Sequence, residues 1–102
     1  MSSKYAYTIH SKVFPYPGMT AWRFAHVDKI QSAQIREKYG KGARGFGSIP
    51  VSVLLGASRW DTSIFPDKQS GTYLLPLKSK IRQAEGVDDG DAVTFKLKIR
   101  MR

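Results

Sequence analysis

The sequence predicts a mainly β fold: a small closed, six-stranded, Greek-key-like barrel with two short helices. Three observations predict it. Apolar residues recur at every second position in six separate runs, the periodicity of a half-buried strand. Two short stretches break that rhythm and carry helix start and stop signals. Each strand offers one apolar face, and a chain of 102 residues must close all of them on one core. A closed barrel does so and leaves no sheet edge exposed.

The first run places Tyr5, Tyr7, Ile9 and Val13 on one face and Lys4, Thr8, His10 and Lys12 on the other. PYPG at 15–18 ends it as a turn. AWRFAHV (21–27) follows, with Trp22, Phe24 and His26 expected inward against Arg23, Ala25 and Val27. SIPVSVLLG (48–56) sets Ile49, Val51, Val53 and Leu55 on one side. SRWDTSIF gives Trp60, Thr62 and Ile64, PDKQSG supplies a reversal, and TYLLPL gives Tyr73, Leu75 and Leu77. The last run alternates most cleanly: Val93, Phe95, Leu97, Ile99 and Met101 against Thr94, Lys96, Lys98, Arg100 and Arg102.

The helices are expected at 28–40 and 77–87. Asp28 with Gln31 three residues on has the spacing of a capping box, Ile35 and Tyr39 share a face, and Gly40 is a stop. In the second, Leu77, Ile81 and Ala84 recur at helical spacing, Gly86 closes the last turn, and Val87 follows the cap. DDGD (88–91) then turns the chain into the last strand.

Length and the absence of a linker, repeat or low-complexity tract predict one domain, residues 1–102. With no cysteine, disulfides, thiolate metal sites and Cys nucleophiles are excluded. The start has no apolar h-region and no run approaches a membrane span, so the expectation is a cytoplasmic protein without membrane contact. Seventeen Lys and Arg against eight Asp and Glu give a net charge of +9. Such a field favours nucleic acid, another polyanion or a small anionic ligand as partner, although charge of either sign also serves solubility.

AWRFAHV and the run from ARGFGSIPVSVLL through SRWDTSIFPDKQSGTYLLPLKSKIRQAEGVDDGDAVTFKL resemble the bacterial domain-of-unknown-function family nineteen-oh-five. The resemblance covers nearly the whole chain. It rests on the Trp strand, a Gly-rich loop, Trp60 with Thr62 and Ser63, Pro66, Tyr73–Leu75–Pro76, Lys78, Arg82 and Gly90–Asp91. It implies a small closed β-barrel and no biochemical activity. Many members carry an added segment associated with bacteriocin protection; these residues contain none, so no role of that segment is carried over. LLPLKSKIRQAEGVDDGDAVTF is also similar to the swapped-hairpin transition-state regulators, a likeness that speaks to fold alone.

The strongest charge pattern is Lys96, Lys98, Arg100 and Arg102, alternate residues about 6.5–7 Å apart on one strand face. That spacing suits a phosphate backbone; it equally suits lysines guarding a sheet edge. GKGARG (40–45) matches G-x-G-x-x-G as a string, but a helix precedes it and a strand follows, the reverse of a dinucleotide site. Its glycines fit a tight connection, and backbone N–H groups beside Lys41 and Arg44 form an alternative anion-binding concavity. A second candidate ligand site lies at one barrel end, with Trp60, Tyr73, Lys78 and Arg82; Lys78 and Arg82 are four apart on one helix face. The competing reading places Trp60 in the core and the two cations on a solvated surface. His10 and His26 pair with no nucleophile or ligand set at a familiar spacing, so the sequence names no catalytic residue, metal or cofactor. A non-catalytic binding module is the leading expectation, a small-ligand or protein-partner barrel the alternative.

Overall fold

In the computed structural model, which describes residues 5–101, six strands close into an antiparallel barrel in the order β1-β2-β5-β4-β3-β6. The strands are β1 (Tyr7–Tyr16), β2 (Met19–His26), β3 (Ile49–Leu55), β4 (Ser58–Asp67), β5 (Thr72–Pro76) and β6 (Ala92–Ile99). Helix α1 (Lys29–Tyr39) follows β2, and α2 (Ser79–Glu85) follows β5. Strands β3, β4 and β5 are joined in sequence and β6 returns to lie beside β3, a Greek key. Lys4 and Arg102 lie outside the described residues.

The predicted alternation places the core. Ile9 and Val13, Ile49, Val51 and Val53, Ile64, Leu75, Phe95 and Leu97 are essentially inaccessible to solvent. Strand β2 differs from expectation. Its inward residues are Ala25 and, just beyond its end, Val27, both fully buried, while Trp22 is half exposed and Phe24 and His26 share its outer side. Register explains the difference: Ala25 pairs with Val13 on one side and Leu75 on the other. Neighbours in register share a face, and both partners point inward. Hence His26 is an outward residue, its Nδ1 2.8 Å from Thr72 Oγ1 and its ring stacked on Phe14 at 4.5 Å.

The helices sit at opposite ends. Asp28 caps α1, accepting from the Gln31 backbone N–H at 3.0 Å and from its side-chain amide at 2.7 Å. Gly40 keeps right-handed torsions, so α1 passes into a 3-10 turn instead of stopping on a left-handed glycine. Gly86, by contrast, is left-handed (φ 65°), and the N–H groups of Gly86 and Val87 return to the carbonyls of Gln83 and Arg82.

Ser32 ties α1 to the barrel. Fully buried, its hydroxyl donates to Val27 O (2.8 Å) and accepts from Tyr73 N–H (3.0 Å). Ser32→Ala strands that N–H in the interior and is expected to destabilise the fold by about 1–3 kcal/mol. A urea melt reads the loss; an unchanged midpoint would mean that the contact is energetically idle.

Candidate functional site

On β6 the outward side chains are Thr94, Lys96, Lys98 and, just past its end, Arg100, all exposed. The strand pairs with β1 through Thr8↔Lys96 and with β3 through Ser52↔Lys98. Lys96 is therefore flanked by both neighbours, whereas the pairing with β1 ends at Tyr7↔Leu97, so that Lys98 and Arg100 are bordered by β3 alone. The edge-protection reading loses its physical basis at Lys96 and keeps it at Lys98 and Arg100.

Neighbouring strands widen the basic face. Exposed Lys12 lies two positions beyond His10 on β1, and exposed Arg59 lies across β3 on β4 through Leu54. One carboxylate interrupts it: Asp61 accepts from Ser52 Oγ at 2.7 Å and stands 3.7 Å from Arg100. Both charged groups are about half exposed (58% and 47%), so the pair is screened and leaves Arg100 available to another anion.

The Gly-rich connection runs from α1 to β3 through two 3-10 turns, Gly40–Gly42 and Gly45–Gly47, as its context predicts. Lys41 and Arg44 are exposed, and Gly42 abuts Met101, which brings this loop to the far end of the basic stripe. The amide concavity is largely occupied internally. The N–H groups of Ala43, Arg44, Gly47 and Ser48 donate to the carbonyls of Gly40, Ser48, Arg44 and Gly45.

The barrel-end group does not assemble as one site. Tyr73 is buried at the α1 end with the Arg36 guanidinium 5.7 Å over its ring. Burial raises its phenol pKa, with Arg36 opposing that rise. Tyr73 pairs with Pro66, six residues along β4 from Trp60, a separation of about 20 Å. Trp60 is half-buried against the core near the other end, and its indole N–H is buried without a partner among the described residues. Arg82 Nε donates to Leu77 O at 3.1 Å. Lys78, exposed before α2, instead lines a cavity of about 340 Å³ with Trp22, Arg23 and Pro76. The tryptophan beside Lys78 is thus Trp22.

Sequence reasoning missed the outer surface of β2, β5 and β4. There Trp22 stacks on Phe24 (6.1 Å between centroids, 12° between planes) and Tyr16 meets Phe24 edge-on at 5.5 Å. A cavity of about 250 Å³ has Trp22 and Phe24 on one side, Phe65 and Asp67 on the other, and Leu74 of β5 as floor. The available signal was the presence of large apolar residues on both sides of the alternation: Phe14 after Val13, and Phe65 after Ile64.

Among the described residues no helix is long and apolar enough to cross a membrane, and no group of three His, Asp or Glu converges as a metal site. No curated protein matches the chain. The profile of the domain of unknown function 1905 (DUF1905) matches residues 10–97, from the middle of β1 to the end of the buried part of β6. The matched stretch contains almost the entire barrel, and the chain belongs to the DUF1905 family.

Proposed function

We propose that this protein is a non-catalytic binding module of the bacterial cytoplasm that engages a polyanion, in the simplest case nucleic acid. The observation that carries the reading is the outward row Lys96, Lys98 and Arg100, all exposed on one face of β6 and its continuation. Five cations then share one face: these three, Lys12 and Arg59. Alternate positions on a strand are about 6.5–7 Å apart, close enough for one phosphate chain to meet several in succession. The net charge of +9 adds long-range attraction.

Fluorescence anisotropy with labelled single- and double-stranded DNA and RNA, at about 50 and 200 mM salt, tests it. Neutralising several phosphates releases counterions, so affinity is expected to fall roughly 10²–10³-fold over that interval. Absence of binding at the lower salt, or binding indifferent to salt, would remove the proposal.

A further inference from the structure

Three adjoining cavities cross the barrel's outer surface on the side opposite β6. The first, about 340 Å³, lies between Lys78 and Trp22. The second, about 250 Å³, lies between Trp22 and Phe65. The third, about 600 Å³, has Phe46 and Lys68 on its walls. Trp22 is common to the first two, and Tyr16, Pro66 and Asp67 are common to the second and third. They form one groove running across the strands, with an exposed lysine at each extremity.

Its rings are unusually open to water. Trp22 is 51% exposed, Phe65 39% and Phe46 97%. Phe46 also holds a left-handed backbone (φ 60°), a conformation that costs a non-glycine residue about 1–2 kcal/mol. Folding recovers nothing from that ring, because it is buried against nothing. An occupant would have to be flat and apolar on its faces. The middle cavity is smaller than the ~300–1,000 Å³ of ordinary small-molecule sites and suits a single ring system. The terminal lysines ask for negative charge on either side of the rings. Planar rings strung between phosphates meet all three demands.

We propose that this groove binds single-stranded nucleic acid, with bases against Trp22 and Phe46 and phosphates at Lys78 and Lys68. Aromatic platforms beside cations hold single strands without sequence readout, since every base has a π-face. A duplex, whose bases already stack on one another, cannot offer them. The inference rests on the polyanion reading and names its substrate class. Asp67 sits among the rings, its carboxylate held by Ser70 Oγ (2.7 Å) and reached weakly by Tyr16 OH (3.5 Å). It keeps acceptor capacity for a base N–H and disfavours a phosphate at the groove's centre.

The test is anisotropy with labelled oligo(dT) and a duplex of equal length, on the full chain and three variants: Trp22→Ala, Phe46→Ala, and Lys96→Ala/Lys98→Ala/Arg100→Ala. The single strand is expected to bind more tightly than the duplex. Each aromatic truncation is expected to weaken it about tenfold, within the range for one stacked base, with the salt slope unchanged. Trp22→Phe keeps most of the affinity, which separates stacking from misfolding. If both alanine variants bind oligo(dT) as the native chain does while the β6 variant is weakened, the groove proposal fails and the polyanion reading stands. The converse pattern keeps the groove and removes the β6 stripe. Absence of all binding by the native chain sinks both. Self-association that Trp22→Ala abolishes, at unchanged oligonucleotide affinity, would assign the groove to a second copy and overturn the proposal.

Discussion

Phe95→Ala is expected to be the most damaging single substitution in the barrel, at about 3–5 kcal/mol. Phe95 is fully buried and stands in register between Ile9 of β1 and Leu55 of β3. A six-stranded barrel has a narrow interior that side chains must fill, and its closed hydrogen-bonded wall cannot collapse inward around a void. The truncation therefore removes the ring's transfer free energy and also leaves most of its cavity. For a domain near this size each 1 kcal/mol lowers Tm by roughly 4–8 °C, so a fall beyond about 12 °C is expected. Such a loss is a large part of a total stability of about 5–15 kcal/mol. Urea denaturation followed by tryptophan fluorescence measures it. Lys96→Ala, one residue along and facing water, is the control and should stay within about 0.5 kcal/mol. A loss under 1 kcal/mol for Phe95→Ala would mean that the interior is not filled in the way described.

Where the sequence was legible, a single apolar face made it so. In β6, and in β3 apart from Leu54, every second residue is polar or small enough to mark the outside, and the alternate residues from Ile49 to Leu55 and from Val93 to Leu97 fell inward as the alternation required. In β2 both faces are apolar: Trp22 and Phe24 on one, Ala25 and Val27 on the other. Periodicity alone then ranks the faces by bulk and picks the aromatic one. The barrel does the opposite, because a cramped interior beside Val13 and Leu75 takes the small alanine. That inversion put Trp22, Phe24 and His26 on the outer side of the sheet, with Trp22 exposed and Phe24 still covered, and created the aromatic groove. The candidate barrel-end site failed for a related reason. Trp60 and Tyr73 lie on adjacent strands, but pairing sets Tyr73 against Pro66 rather than against Trp60. Register is a property of two strands, and one strand's pattern cannot state it. The basic stripe needed no such knowledge, since one strand contains it.

Replacing Lys96, Lys98 and Arg100 together by alanine is expected to make the salt dependence of nucleic-acid binding shallower. The slope should fall by nearly 3 for duplex, from roughly 0.9 counterions per lost contact. Affinity at about 50 mM salt should drop at least tenfold. The fold should tolerate the change: all three side chains point to water, and the ion pair lost with Arg100 is exposed on both sides. Net charge alone is the competing explanation, because the variant also lowers +9 by three. Lys29, Lys38 and Lys80 supply the discriminating control. They are also exposed but lie on the two helices rather than on β6. Their joint replacement by alanine removes the same charge. A diffuse field would make the two variants equal, whereas phosphates seated along β6 would make the strand variant lose affinity and slope while the helix variant loses little of either. Equal losses would reduce the stripe to one contribution among many in the overall charge. Unequal losses would locate the polyanion on the outer face of β6.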